Sequence, residues 1–331
     1  MENNLHLLTV ENLSVDFRVD RKTTLHAVRD VSFYLDRGET LGVVGESGCG
    51  KSVTCMSILQ LNPASTTRYP TGHIWFEGKD LLQVKPKELQ SIRGKDISMI
   101  FQEPMTALNP LFTIGDQMME ALRVHDRTLQ KSQAKELCLE AINRVRIPNP
   151  QRVMDSYTFT MSGGMRQRVM IAMAMVTRPK LLICDEPTTA LDVTIQAQVL
   201  ELMNELKKEA GTSIIFITHD LGVISEMADR VMVMYGGKAC ESAPVDTLFS
   251  EPVHPYTRGL IDSHPSADYT GDRLKVIPGS VPTLKNMPKG CSFHNRCDRV
   301  CEQCQEVFPA FETVQGDHVV ACHNWRKELS K

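Results

Sequence analysis

The sequence has no apolar run long enough to cross a membrane. Spanning a bilayer takes roughly 18 or more consecutive apolar residues, whereas the longest runs here are Val169–Val176 and Leu181–Cys184. Runs of that length are typical of a buried helix and a buried strand. The segment Met1–Thr9 also lacks the basic start and apolar core of a secretory signal. We therefore expect a chain that stays in the cytosol and reaches a membrane only through partners.

The sequence also lacks a large excess of charge of one sign. Its 37 Lys and Arg residues stand against 40 Asp and Glu, for a net charge of -3. A nucleic-acid-binding protein usually carries a basic patch or stripe, so nucleic acid is not expected as a partner. No internal repeat is visible, which predicts a single copy of the functional unit. The hydrophobic content of 42% and charged content of 23% are those of an ordinary globular protein.

Strands and helices alternate along the first three quarters of the chain. Apolar runs between turn residues predict strands at 7–10, 15–17, 31–35, 41–44, 74–76, 181–184, 214–217 and 231–235. Helical spacing predicts helices at 51–61, across most of 114–147, and at 163–177, 194–209 and 221–228. The alternation is typical of an α/β fold with a mainly parallel sheet. From about Pro244 the composition shifts to Pro, His and Cys, so we predict a domain at 1–245 and a C-terminal extension at 246–331.

A phosphate-binding loop follows the predicted strand at 41–44. The residues Gly45-Glu-Ser-Gly-Cys-Gly-Lys-Ser52 match GxxxxGK[ST] between a strand and a helix. Lys51 should reach the β- and γ-phosphates and the Ser52 hydroxyl should hold Mg²⁺. A glycine-rich turn that binds nothing is the alternative, and both the spacing and the flanking strand disfavour it. The predicted nucleotide-binding residues are Gly45, Glu46, Ser47, Gly48, Cys49, Gly50, Lys51, Ser52 and Val53.

Two adjacent carboxylates end the predicted strand at 181–184. Asp185 suits a water-mediated contact to Mg²⁺, and Glu186 suits a general base that accepts a proton from the attacking water. His219 follows the next predicted strand and is interpreted as a γ-phosphate contact. Surface carboxylates and a structural histidine are the alternatives. The phosphate loop earlier in the chain favours the catalytic interpretation.

The segment Met161-Ser-Gly-Gly-Met165 resembles the LSGGQ signature of ABC ATPases, with Met at its first and last positions. Gln102 matches the Q-loop of that family, Ala190-Leu-Asp192 its D-loop and His219 its switch histidine. This resemblance covers about residues 5–245. It implies an ABC-type nucleotide-binding domain with an antiparallel β region and a helical subdomain at about 103–165.

The ABC resemblance also implies roles for several further residues. Ser162, Gly163 and Gly164 stand where a helix begins, so that free N–H groups can bind an anion. In the family they bind the γ-phosphate held by a second subunit, so ATP joins two chains. Asp192 and Gln102 are assigned to the nucleotide site, Gln102 also as a Mg²⁺ contact. Phe17 stands where the family places an aromatic ring on adenine, although a Phe on a strand can equally be a core residue.

The segments His254-Pro-Tyr-Thr-Arg-Gly-Leu260 and Pro278-Gly-Ser-Val-Pro282 narrow the resemblance to the ATPases of bacterial oligopeptide and dipeptide importers. It implies a second homologous ATPase, two permeases and an extracytoplasmic binding protein, with this chain peripheral at the cytoplasmic face of the membrane. Related importers carry nickel or metal chelates, glutathione or oligosaccharides, and these solutes remain open. A soluble non-transport ABC ATPase is a remote alternative, since no coiled-coil heptads are present.

Five of the 10 cysteines crowd into the tail, at Cys291, Cys297, Cys301, Cys304 and Cys322. The spacing Cys-x5-Cys-x6-Cys, with Cys322 further on, resembles the pattern of peptide-importer ATPases that is associated with a [4Fe–4S] cluster. Four thiolates are what such a cluster needs. The Cys301-x2-Cys304 pair is the best case for zinc, and it leaves open which of the two is the third ligand. Free thiols are the remaining alternative.

Overall fold

The structure is a computed structural model that describes residues 6–102, 107–188, 191–264 and 275–327. The chain divides into two compact units. The first contains Met1–Asp36, Thr40–Gln83 and Thr218–Lys331, and the second contains Arg37–Glu39 and Val84–Ile217. Within the described ranges, no helix combines the length and the apolar character needed to cross a membrane.

The strands, in chain order, are β1 (Leu8–Arg18), β2 (Thr24–Leu35), β3 (Thr40–Val44), β4 (Thr67–Arg68), β5 (His73–Phe76), β6 (Lys79–Asp80), β7 (Ile97–Ile100), β8 (Leu181–Asp185), β9 (Ser213–Ile217), β10 (Arg230–Tyr235), β11 (Lys238–Pro244), β12 (Glu312–Gln315) and β13 (His318–Val320). The helices are α1 (Lys51–Ile58), α2 (Pro86–Ile92), α3 (Ile114–Arg123), α4 (Lys131–Arg144), α5 (Pro150–Met154), α6 (Gly163–Met175), α7 (Val193–Ala210), α8 (Leu221–Met227), α9 (Val245–Ser250), α10 (Pro255–Asp262) and α11 (Glu302–Glu306).

An antiparallel sheet in the first unit has the strand order β2-β1-β5-β6, with β4 also paired to β1. The sequence predicted two separate strands at 7–10 and 15–17, and this was wrong, because β1 runs through both. The register shifts around Leu13, and Asn12 takes a left-handed φ of 48°. Asn tolerates that conformation better than most residues. The strand therefore continues through a bulge and buries Leu13 completely.

A second group of strands in the first unit carries the phosphate loop. β3 pairs with β10 in parallel, and β10 pairs with β11 antiparallel. All five residues of β3 and all six of β10 are buried. The extension adds to this group, because β13 pairs with β11 and β12 pairs with β13. Val320 of β13 packs with Val253 and Trp325 in a small buried cluster.

A buried carboxylate ties the extension to the strands. Glu241 in β11 is fully buried, and its oxygens accept hydrogen bonds from the backbone N–H groups of Val253 (2.7 Å) and His254 (3.0 Å). His318 in β13 contacts the same carboxylate through Nε2 at 2.8 Å. Burial lowers the pKa of His254 to about 4, opposed by the nearby charge of Glu241. The His254 ring therefore stays neutral, and its Nδ1 accepts from the N–H of Tyr256 at 3.1 Å.

The second unit contains the parallel strands β7, β8 and β9, with β8 in the middle. The helical pattern predicted across 114–147 resolves into α3 and α4. They are separated because the Asp126 carboxylate accepts from the backbone N–H of Thr128 at 2.9 Å and forms a local turn. The helical subdomain predicted at about 103–165 begins with residues 103–106, which lie outside the described residues. Its boundaries, like the boundary at 245, stay predictions.

We predict that Glu241→Ala destabilises the protein, because it leaves two buried N–H groups without an acceptor. The expected loss in the free energy of unfolding is about 2–4 kcal/mol. Urea unfolding would measure it, with Glu226→Ala as the control, since Glu226 is an exposed carboxylate of the same unit. Equal unfolding midpoints for the two variants would contradict the role given to Glu241.

Candidate functional site

The phosphate loop connects β3 to α1 and depends on three glycines with positive φ. Gly45, Gly48 and Gly50 have φ values of 149°, 78° and 101°. A Cβ on Gly45 would lie 2.2 Å from the Met234 carbonyl oxygen, and one on Gly50 would lie 2.9 Å from the Ala27 carbonyl oxygen. Side chains are therefore excluded where the loop turns against its neighbours. The backbone N–H groups of such a loop form an anion-binding concavity.

Lys51 begins α1 and lies inside the loop. Its ammonium donates to the carbonyl oxygens of Gly45 (2.7 Å) and Glu46 (3.2 Å), and the residue is only 6% exposed. The Lys51 ammonium group therefore lies among the backbone groups of the loop and not in solvent. Burial raises the pKa of the Cys49 thiol, so Cys49 is a neutral packing residue and its contribution to the loop comes from its backbone.

His219 lies near the start of the phosphate loop. The residue before it, Thr218, donates its backbone N–H to the Val43 carbonyl in β3 at 3.4 Å, and β3 ends where the loop begins. The residue after it, Asp220, caps α8 by accepting from the N–H groups of Gly222 (2.9 Å) and Val223 (3.3 Å). His219 is itself exposed. This placement agrees with a phosphate contact, which stays a prediction.

Phe17, the predicted adenine contact, is part of β1 and pairs with Leu25 in β2 and Thr67 in β4. It is half-buried and not a member of the buried core. The ring therefore keeps an accessible face, although its role stays a prediction.

The second unit brings Gln102 and Glu186 together. Asp185 ends β8 and is 2% exposed. Glu186 follows it with a left-handed φ of 47°, a conformation that costs a non-glycine residue about 1–2 kcal/mol. Its N–H donates to the Ile217 carbonyl at 2.9 Å, and its carboxylate accepts from the Gln102 amide at 3.1 Å. The turn directs the Glu186 carboxylate toward Gln102, a contact that the sequence did not predict.

The signature segment forms the N-terminus of α6, a helix of 13 residues. Ser162 is the N-cap, and its Oγ accepts from the N–H of Met165 at 3.3 Å. Gly163 and Gly164 lie in the first turn of α6, in agreement with the helix predicted at 163–177. Gly163 is exposed and a Cβ there would meet nothing within 4 Å, so the helix end is open to an anion. Met161 is 6% exposed and fills the apolar first position of the signature.

Asp192 caps α7, where its Oδ1 accepts from the N–H of Ile195 at 3.0 Å. The first D-loop residue, Ala190, lies outside the described residues. A cap of this kind is a structural role, and the role of Asp192 at the nucleotide stays a prediction.

The tail thiols lie near one another. Cys301 Sγ and Cys304 Sγ are 3.4 Å apart, and Cys291 donates its N–H to the Cys304 carbonyl at 2.8 Å. Burial, together with the nearby thiols of Cys304, Cys322 and Cys297, raises the pKa of Cys291 to about 12. The residue types suit a four-thiolate cluster, but the positions do not: in the part of the chain that is described, no three His, Cys, Asp or Glu side chains are arranged to hold a metal ion.

Comparison with known proteins identifies the family. The family model "ABC transporter" matches residues 28–189, and "Oligopeptide/dipeptide transporter, C-terminal region" matches residues 240–304. The dipeptide transport ATP-binding protein DppD of Bacillus subtilis is 49% identical over 317 residues, covering 96% of this chain and 94% of DppD. The oligopeptide transport ATP-binding protein AppD of the same organism is 48% identical over 322 residues, covering 97% of this chain and 98% of AppD.

Solved structures show the same fold. The dimeric structure of MJ0796, a bacterial ABC transporter cassette, has a TM-score of 0.64 at 23% identity and covers 72% of this chain and 98% of that one. The structure of cbiO1 from Clostridium perfringens has a TM-score of 0.62 at 26% identity and covers 74% of this chain and 91% of that one. These structures show the fold, and the relatives that are 48–49% identical show that the chain belongs to the ATP-binding proteins of ABC transporters. Within that family it belongs with the ATP-binding proteins of peptide transporters.

These comparisons confirm the resemblance drawn from the sequence and the α/β phosphate-loop fold. ATP is the nucleotide of the family. The roles of individual site residues stay predictions. The sequence also missed Arg296 and Tyr256, which contact Glu46 of the phosphate loop. Tyr256 belongs to the segment 254–260 that indicated the peptide-importer family, but no local pattern connects either residue to the loop.

We predict that Lys51→Ala weakens ATP binding by roughly 10- to 100-fold, since it removes a charged donor to the phosphates. Equilibrium binding of a fluorescent ATP analogue would measure the affinity. Lys22→Ala removes an exposed lysine of the same unit and serves as the control. Unchanged affinity in a folded Lys51→Ala protein would remove Lys51 from the site.

Proposed function

We propose that this chain hydrolyses ATP to drive peptide import through a membrane ABC transporter, as one of two ATPase subunits. The observation that carries the proposal is that one chain contains both a phosphate loop with an enclosed lysine and an open signature helix end. Each binds anionic phosphate by backbone N–H groups. The peptide transport ATP-binding proteins of Bacillus subtilis match nearly its whole length.

The proposed chemistry assigns one task to each residue. Lys51 binds the β- and γ-phosphates, while Ser52 and Asp185 hold Mg²⁺, Asp185 through water. When bound, Mg²⁺ neutralises charge that develops on the phosphate oxygens. Glu186 orients the attacking water and accepts its proton. Gln102, whose amide contacts the Glu186 carboxylate at 3.1 Å, holds that base in position.

The signature residues act on the nucleotide of the second subunit. The N–H groups at the start of α6 and the Ser162 hydroxyl bind the γ-phosphate presented by the partner's phosphate loop. An anion bound at a helix N-terminus is stabilised by the helix dipole as well as by the free N–H groups. ATP thus holds the two subunits together, and hydrolysis followed by phosphate release separates them.

A cluster of exposed apolar side chains in the second unit supports a permease partner. Leu111 and Phe112 are 79% and 54% exposed, and Phe159 is 69% exposed. A β-bridge between Thr113 and Tyr157 brings the two segments together, and Tyr157 stacks on Phe159 with ring centroids 5.5 Å apart. Exposed apolar groups at this density mark an interaction site.

The remaining partners follow from the transporter class. The chain lies at the cytoplasmic face of the membrane, bound to two permeases that receive solute from an extracytoplasmic binding protein. Those subunits contact the solute, so they decide between peptide and the alternatives of metal chelate, glutathione and oligosaccharide.

We also propose that the extension binds a [4Fe–4S] cluster through Cys291, Cys297, Cys304 and Cys322. It is supported by the Cys-x5-Cys-x6-Cys spacing and by the presence of four thiols in one extension. Cys304 is favoured over Cys301 as third ligand because it is buried and hydrogen-bonded through its carbonyl to Cys291. The thiols would have to reorient to bind the cluster. The close Cys301–Cys304 pair is the observation that favours zinc instead.

We predict that Glu186→Gln slows ATP turnover by roughly 10²- to 10⁴-fold while ATP binding survives, because the amide keeps the shape but cannot accept the proton. Turnover should be measured with the partner ATPase present and its own site disabled. The stable ATP-bound pair should also appear by size exclusion. Glu136→Gln alters an exposed carboxylate of the same unit and is the control. Near-normal turnover in Glu186→Gln would overturn the assignment of the base.

We predict that anaerobically purified protein is brown and holds about four irons per chain, the stoichiometry of the cluster. Cys304→Ser should lose the iron, whereas Cys301→Ser should keep it. Metal analysis and visible absorbance decide between the outcomes. A colourless protein with one zinc would reject the iron assignment, and a metal-free protein with a protease-resistant tail would reject a metal site altogether.

A further inference from the structure

The C-terminal extension reaches the phosphate loop through an ion pair. Arg296 contacts the Glu46 carboxylate with both terminal nitrogens, at 2.7 and 3.1 Å, although the two residues are 250 positions apart. The Arg296 side chain is 6% exposed and that of Glu46 28% exposed. A bidentate, mostly buried pair of this kind fixes geometry more strongly than a surface ion pair does.

Arg296 is itself held in place from several sides. It donates to the carbonyl oxygens of Pro278 (2.8 Å) and Ile277 (3.3 Å) and to the hydroxyl of Tyr235 (3.3 Å). Burial alone would lower the pKa of Arg296, but the hydrogen bonds to Glu46 and Tyr235 raise it above its usual value. Arg296 is therefore a permanent, oriented positive charge against the loop.

Tyr256 holds the backbone of the same loop residue. Its hydroxyl accepts from the Glu46 N–H at 2.8 Å. The Tyr256 ring is fully buried, with Tyr235 edge-on at 4.6 Å and Phe293 at 5.3 Å between ring centroids. Both the carboxylate and the backbone N–H of Glu46 are thus bound by residues that follow β11.

A second series of hydrogen bonds connects the extension to Cys49 in the phosphate loop. Ser292 accepts from Arg29, which also donates to the Gly236 carbonyl at 2.7 Å. The adjacent Gly237 donates its N–H to the Cys49 carbonyl at 2.9 Å. The extension therefore supports the loop at Glu46 directly and at Cys49 through the turn between β10 and β11.

We propose that Tyr256 and Arg296 are positioning residues for ATP: Tyr256 holds the backbone of the phosphate loop at Glu46, and Arg296 neutralises the Glu46 carboxylate, which would otherwise repel the nucleotide's phosphates. This inference rests on the proposed ATPase function and adds the extension to the nucleotide site. If Arg296 only attached the extension to the rest of the protein, its loss would lower stability. It would not change ATP affinity in a way that depends on the charge of Glu46. The two roles therefore predict different responses to a second substitution at Glu46.

Three variants test the proposal by equilibrium binding of ATP to the full chain. Arg296→Gln should weaken binding about 10-fold, the usual effect of leaving one partner of a charge-assisted contact unpaired. Glu46→Gln should leave binding equal or tighter, because a negative charge disappears while Arg296 remains. The double variant should recover most of the affinity that Arg296→Gln loses, since the unpaired carboxylate is gone.

The control is Arg326→Gln, which removes an exposed arginine that pairs with Glu312 elsewhere in the extension. It should bind ATP like wild type. Arg296→Gln with unchanged affinity, or a double variant as weak as Arg296→Gln, would overturn the proposal. Should Arg296→Gln not fold, weaker binding by Glu46→Gln would overturn it equally. Wild-type protein that binds no more ATP than Lys51→Ala would instead refute the proposed function itself.

Discussion

The close approach of backbone to backbone at the phosphate loop is the constraint on which the first unit depends. An anion site made of N–H groups works only where no side chain intervenes, and a Cβ on Gly45 would fall 2.2 Å from the Met234 oxygen. That approach requires β10 to lie directly beside β3, and both strands are entirely buried. The apolar core is therefore what holds a polar loop in one conformation, because a loop of this glycine content has little stiffness of its own.

The start of α6 also presents backbone N–H groups to an anion, but different residues hold it in place. There the Ser162 hydroxyl caps the helix, buried Met161 anchors the preceding residue, and Gly163 keeps the end uncovered. The loop encloses a lysine, whereas the helix end has Arg166 as its nearest basic residue in sequence. In the proposed function the two surfaces bind one nucleotide from two different chains. Because one nucleotide then contacts both chains, its binding free energy stabilises the pair of subunits, and hydrolysis of the nucleotide removes this stabilisation.

Local chemistry was readable from the sequence, whereas long-range contacts were not. The spacing from Gly45 to Ser52 and the apolar run before Asp185 are properties of short segments, so the loop and strand could be predicted. The bulge at Asn12 and the break after Arg123 depend on single polar residues that compete with regular hydrogen bonding. The Gln102–Glu186 and Arg296–Glu46 contacts join distant segments, and only the completed fold brings them within hydrogen-bond distance.

The hairpin of β12 and β13 has a consequence for solubility. Without it, β11 would present a row of open backbone groups, and an open strand edge can pair with the edge of another molecule. β13 pairs with that edge at Glu241 and Ser242, and β12 then ends the group with only four residues, two of them half-exposed and two exposed. A short, polar outermost strand is a poor template for further pairing. The extension thus protects part of the β11 edge from pairing with the edge of another molecule.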